Sequence, residues 1–140
     1  MLKGLDKLLT GDILKALCDM GHGDELVIAD ANFPGEEVAK RLIRVPGIDG
    51  VRMAQAVMSV FPLDSYVETP AWVMDLTEGD QAKGMPEPII WPEYEQCVGR
   101  TLGKMERFEF YERARKAFLV IQTGEERQYG NLLLTKGVVL

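Results

Sequence analysis

The sequence predicts an α/β fold: one three-layer αβα domain over residues 1–140, built on a central, mostly parallel sheet. Segments with helical spacing of apolar residues alternate with short apolar runs, the order in which helices are layered on a sheet. Leu26-Val27-Ile28-Ala29 is continuously apolar rather than alternating, the pattern of a strand covered on both faces. The 140 residues carry no internal repeat, linker or low-complexity tract, and that length suits a single core.

The elements follow in order. Leu2 to Leu9 is apolar and weakly patterned. Thr10 reads as an N-cap and Asp12 as a first-turn acid, and Ile13, Leu14, Leu17 and Met20 share one helical face that Gly21 ends. The strand through Asp30 comes next, then a turn at Ala31-Asn32-Phe33-Pro34-Gly35. Glu36 to Ile43 fits a short helix or a helix-to-strand transition, punctuated by Pro46-Gly47. Val51 to Phe61 is a second helix, with Val51, Ala54, Val57, Met58 and Phe61 on one face. After a junction at Pro62 to Tyr66, Ala71 to Leu76 reads as a strand and Thr77 to Pro88 as a loop.

Trp91-Pro92-Glu93-Tyr94 starts a helix, because proline suits the first turn and an acid belongs there. Phe110 to Lys116 forms a short charge-paired helix, Phe118 to Ile121 a buried strand, Thr123-Gly124-Glu125 a turn, and Tyr129 to Leu134 the last strand. Trp72 and Trp91 suit the core, a pocket or a subunit contact equally.

Composition narrows the function. The formal charge is −6 and no basic run is present, so a phosphate backbone would be repelled and nucleic acid is not expected as a partner. No stretch approaches the roughly 20 apolar residues a bilayer crossing needs, and the N-terminus lacks a signal-peptide layout, so no membrane partner and a cytoplasmic location are expected. Cys18 and Cys97 stand far apart and read as buried small hydrophobes in a reducing compartment. One histidine and two separated cysteines make a metal site unexpected. Neither G-x-G-x-x-G nor a Walker A loop follows the first strand, and no nucleophile elbow is present.

What remains is a set of polar residues at strand ends and turns: His22, Asp30, Arg107, Tyr129 and Asn131. His22, the only histidine, sits between Gly21 and Gly23, on an exposed turn where the first strand begins. Asp30 falls at that strand's far end. An imidazole with a reference pKa of about 6.5 exchanges protons near neutrality, and ligands of α/β sheets gather at strand ends. Carboxylate, guanidinium and amide groups suit the hydroxyls of a polyhydroxylated ligand. Each residue also has a structural reading: His22 a turn residue, Asp30 a cap, Arg107 a surface ion-pair partner, Tyr129-Gly130-Asn131 the start of a strand.

Taken together, Met20-Gly21-His22-Gly23-Asp24-Glu25, Asp30-Ala31-Asn32-Phe33-Pro34, Leu63-Asp64-Ser65-Tyr66, Arg107-Phe108, Phe110-Tyr111-Glu112-Arg113-Ala114, Thr123-Gly124-Glu125 and Tyr129-Gly130-Asn131 resemble the L-fucose mutarotase and D-ribose pyranase family. The blocks match in order and spacing from end to end, most loosely from about Gly79 to Met105. The resemblance implies a protein that interconverts anomers or ring forms of a monosaccharide without metal or cofactor. It implies a ring-like homo-oligomer, often a decamer, with pockets near subunit contacts. It assigns His22 as proton donor and Asp30, Arg107, Tyr129 and Asn131 as sugar-holding residues, with Tyr111 a motif residue whose contact with the ligand stays open. Asp30 would orient the imidazole or accept a sugar hydroxyl. Arg107 and the Phe-Tyr-Glu-Arg-Ala block resemble the fucose branch more than the ribose branch. D-ribose pyranase activity and a non-catalytic monosaccharide-binding or regulatory module are the alternatives.

Overall fold

In the computed structural model, which describes all 140 residues, strand β1 (Glu25–Ala29) shows why the first apolar run is uninterrupted. Successive side chains of a strand point to opposite faces. Leu26 and Ile28 enter one apolar cluster with helices α1 (Gly11–Asp19), α3 (Gly50–Met58) and α5 (Ile90–Val98). Val27 and Ala29 enter another with α2 (Gly35–Val38) and α6 (Arg107–Lys116). Two helical layers therefore clamp the sheet, as the three-layer reading requires.

The remaining strands are β2 (Leu42–Val45), β3 (Ala71–Met74), β4 (Gly103–Met105), β5 (Leu119–Thr123) and β6 (Leu132–Thr135), and the sheet order is β2-β5-β1-β6-β3-β4. β1 pairs in parallel with β5, β5 with β2, and β3 with β4. Only β6 is antiparallel, inserted between β1 and β3 with Leu132 opposite both Ile28 and Val73. The sheet is thus mostly parallel. The start of β6 lies at the edge where β1 and β3 end.

Several elements differ from the sequence reading. α1 does stop before Gly21, but without a left-handed residue there: Met20 is extended, the Lys136 ammonium donates to the carbonyls of Leu17 at 2.7 Å and Met20 at 2.5 Å, and the left-handed glycine of this turn is Gly23, at φ +89. The transition at Glu36 to Ile43 resolves into α2 and edge strand β2. Within the expected loop, α4 (Glu78–Ala82) forms because the Thr77 hydroxyl accepts the Asp80 N–H at 3.2 Å and acids occupy its first turn. β4 carries no apolar run, since an edge strand of three residues buries only Met105. Helix α6 begins at Arg107, ahead of Phe110, because the Glu106 carboxylate caps it through the Glu109 N–H at 3.0 Å. Cys18 is exposed and Cys97 half-buried, Cys18 lying off the Ile13–Leu17 face that α1 buries. No helix is long and apolar enough to cross a membrane.

Phe110 is fully buried in the second cluster, with the Phe33 ring edge-on at 6.4 Å. Phe110→Ala is expected to cost about 3–5 kcal/mol of stability, read as a lower urea midpoint in equilibrium unfolding.

Candidate active site

The edge where β1 and β3 leave the sheet and β6 joins it holds a cavity of about 380 Å³, within the range typical of small-molecule sites. Asp30, Arg107, Tyr111, Tyr129 and Asn131 all line it. Asp30 is the residue just past β1, Arg107 the first of α6, Tyr111 one turn further on, and Tyr129 and Asn131 the approach to β6. Five of the six residues singled out from the sequence thus meet in one place.

Hydrogen bonds fix these groups before any ligand arrives. The Asp30 N–H donates to the Asn131 side-chain oxygen at 2.8 Å, tying the end of β1 to the start of β6. That leaves the Asn131 NH₂ group as a donor. Asp30 Oδ1 accepts the Asn32 N–H at 3.0 Å. Burial pushes the Asp30 carboxyl above its ordinary value, against the opposing pull of backbone N–H groups. Arg107 is exposed and makes no ion pair within the chain. Its guanidinium lies 4.5 Å from the Phe108 ring centroid.

Tyr129 is the one non-glycine residue with positive φ, at 60°, a conformation that costs free energy and persists only when neighbours enforce it. Here the buried side chains of α5 enforce it. The Trp91 indole N–H donates to the Tyr129 carbonyl at 3.0 Å, and the Tyr94 hydroxyl donates to the Gly130 carbonyl at 2.8 Å. Burial, reinforced by nearby Glu125, pushes the Tyr94 phenol well above its ordinary value, so it stays a donor. Trp91 is therefore a core residue that braces the site. Before the turn, burial works against the Glu125 carboxylate, but Arg127 outweighs it and holds the group below its ordinary value. Glu125 also accepts the Gly50 N–H at 3.3 Å, which anchors the loop to α3.

The cavity also contains residues the sequence reading passed over. Asn32, Phe33, Met74, Thr77, Asp80 and Gln128 complete its lining. Phe33 and Tyr111 face one another at 5.6 Å. The Tyr129 hydroxyl accepts the Thr77 N–H at 3.2 Å and donates to the Asp80 carboxylate. A Thr-x-x-Asp spacing opening a short helix was the available signal for Thr77 and Asp80, inside a stretch that composition marks as a loop. The whole arrangement offers hydroxyl-binding donors and acceptors beside aromatic faces, the chemistry a sugar ring needs.

His22 lies elsewhere. It precedes β1, whereas Asp30 follows it, and five strand residues separate the two by roughly 16 Å. The imidazole is not among the cavity's lining residues. Its side chain is 44 % exposed, and its Nε2 contacts Asp64 Oδ1 at 3.1 Å with the Tyr66 ring 5.3 Å away. Within the chain the carboxylate that orients His22 is therefore Asp64, which corrects the expectation that Asp30 would do so. The turn is held from the far end of β6, where the Gly23 N–H donates to the Lys136 carbonyl at 2.8 Å. The Tyr66 N–H, opposed by burial and assisted by His22, keeps the Asp64 carboxyl below its ordinary value.

Residues 3–139 match the RbsD / FucU transport protein family. The chain is 49% identical to the fucose mutarotase of Mus musculus over 146 residues, covering 99% of this chain and 95% of that protein. The crystal structure of the fucose mutarotase from Streptococcus pneumoniae in complex with L-fucose superposes with a TM-score of 0.91 at 39% identity, covering 99% of this chain and all of the other. FucU from Bifidobacterium longum superposes with a TM-score of 0.92 at 43% identity over the same shares.

The depressed Asp64 pKa makes the stability of this turn depend on pH. A carboxyl whose folded pKa is lowered stabilises the fold above its unfolded value, and the contribution disappears as pH falls through the folded one. Asp64→Asn is expected to lower the urea midpoint at pH 7, with the gap to the parent closing as pH drops below about 3.8. A gap that stays constant from pH 7 to pH 3 would contradict the assignment.

Proposed function

The chain belongs to the RbsD / FucU family, and from that premise we propose that it interconverts the α and β anomers of L-fucose by ring opening and closure. The observation that carries this is the convergence of Asp30, Arg107, Tyr129 and Asn131 on one cavity at the mixed edge of the sheet. Arg107 and the Asn131 NH₂ group supply donors to ring hydroxyls, Asp30 supplies an acceptor, and Phe33, Tyr111 and Met74 supply apolar wall.

Anomer exchange needs a proton placed on the ring oxygen and one removed from the anomeric hydroxyl. The C1–O5 bond breaks with its electron pair going to O5, while the O1–H pair becomes the carbonyl π bond. Rotation about C1–C2 and closure on the other face restore every bond. No covalent intermediate with the protein and no cofactor enter this scheme.

His22, oriented by Asp64, is our candidate for the group that protonates O5. Since the imidazole and the cavity of one chain are a strand apart, this role requires a second copy, whose exposed His22 turn meets the cavity of its neighbour. Such a contact joins two different surfaces, and head-to-tail contacts of that kind generate a ring where the rotation between copies closes. Exposed apolar side chains support it at both ends: Tyr66 and Val67 beside His22, and Phe108 beside Arg107. We accordingly read the protein as a homo-oligomer, up to a decamer. Residues 1–140 act as one sugar-handling unit, working in the cytoplasm, where the free thiols of Cys18 and Cys97 would stay reduced.

Exchange spectroscopy by NMR on equilibrated L-fucose tests the reading. The parent protein is expected to connect the α and β signals, and His22→Ala to lose about 10²- to 10⁴-fold of that exchange while still binding the sugar. Arg107→Ala is expected to weaken binding instead. Mixing the two variants under conditions that reshuffle subunits should restore part of the activity, because some pockets then have both parts intact. Failure to recover any would remove the shared pocket. Exchange confined to D-ribose would move the assignment to a pyranase, and binding without exchange to a non-catalytic module.

A further inference from the structure

The Tyr129 hydroxyl is committed on two sides. It accepts the Thr77 backbone N–H at 3.2 Å and gives its only proton to Asp80 Oδ2. A phenol has one proton and can accept on its remaining lone-pair direction, so a sugar hydroxyl meeting Tyr129 in the cavity must be the donor. The direction of the chain is therefore fixed: sugar O–H to tyrosine oxygen, tyrosine O–H to carboxylate. Among the other groups lining the cavity only the Asp30 carboxylate competes for this role, and it already accepts the Asn32 N–H. Arg107 only donates, and the Asn131 oxygen is used by the Asp30 N–H. The arrangement is also costly to hold, since Tyr129 sits at positive φ under the grip of Trp91 and Tyr94. Helix α4 has no buried residue, yet it delivers Asp80 to this hydroxyl with Thr77 capping it.

We infer that Asp80, acting through Tyr129, is the acceptor for the proton that leaves the anomeric hydroxyl. This rests on the mutarotase reading above and adds to it the base that the ring-opening step requires. As the anomeric O1–H bond breaks, its proton passes to the Tyr129 oxygen and the tyrosine's own proton passes to Asp80 Oδ2. The O1–H electron pair forms the C1=O1 bond, and the C1–O5 pair leaves to O5, which takes a proton from the acid on the other side. Closure runs the same transfers backwards, so the protein ends unchanged.

The discriminating variant is Asp80→Asn. Its side-chain oxygen still accepts the Tyr129 O–H, so the position of the ring is kept, but an amide cannot take up the proton. Anomer exchange measured by NMR over a range of L-fucose concentrations is expected to show kcat reduced by about 10²-fold or more, with KM little changed. Tyr129→Phe should lose a similar amount, and the double variant should be no worse than Tyr129→Phe alone, as for groups that act as a unit. Asp80→Ala, which also frees the ring, should raise KM as well. Asp80→Asn exchanging at the parental rate, or losses that multiply in the double variant, would overturn the relay and leave Asp30 as the acceptor. A parent protein that exchanges no aldose would instead overturn the reading on which the relay rests.

Discussion

The direction of one strand governs the site. β6 runs against all its neighbours, so it enters the sheet at the edge where β1 and β3 leave it. Had it been parallel, its start would lie at the His22 end, and Tyr129 and Asn131 would have no neighbour in Asp30. The Asp30 N–H to Asn131 hydrogen bond records this meeting at the level of single atoms. The crevice beyond the carboxyl ends of parallel strands is where α/β sheets bind ligands. Here the antiparallel insertion supplies that crevice with the donors and acceptors of a second segment.

The same strand ties the two ends of the molecule together. Its beginning presents the cavity residues Tyr129 and Asn131, and Lys136 just past its end holds both the α1 terminus and the Gly23 turn. The His22–Asp64 pair and the cavity are thus fixed relative to one another by a short, fully buried strand. A rigid offset of this kind suits the proposed ring of identical subunits, because each copy would present one half of a site at a constant position to the next.

Rigidity around the cavity comes from charge and aromatic donors together. Glu125 is buried yet kept ionised by Arg127, and Arg127 reaches on to Glu93 of α5 at 2.5 Å. Trp91 and Tyr94, on the same helix, grip the carbonyls of Tyr129 and Gly130. Helix α5 therefore does two things at once: it fills the larger core cluster and sets the backbone on which Tyr129 is mounted. Preorganisation of this sort is what acid–base chemistry asks of a scaffold, since reorganising the groups during reaction would add to the barrier.

Much of the fold was legible from residue order. Apolar periodicity marked α1, α3, β1, β3 and β5, because burial on one or both faces imposes its spacing on the chain. Edge strands β2 and β4 and the short helix α4 left weaker traces, having little apolar surface to bury. Among site residues, Asp30, Arg107, Tyr129 and Asn131 stood out by type and by matching motif blocks, while Asp80 sat in a stretch whose composition reads as loop. Residue order alone specified a layered α/β chain with its polar residues placed at strand ends, since both properties follow from local spacing. Which ends meet was decided only by the tertiary structure: strand direction and neighbour order depend on pairings between residues as far apart as Asp30 and Asn131, and those pairings separate His22 from Asp30 while bringing Asp64 to the one and Asn131 to the other.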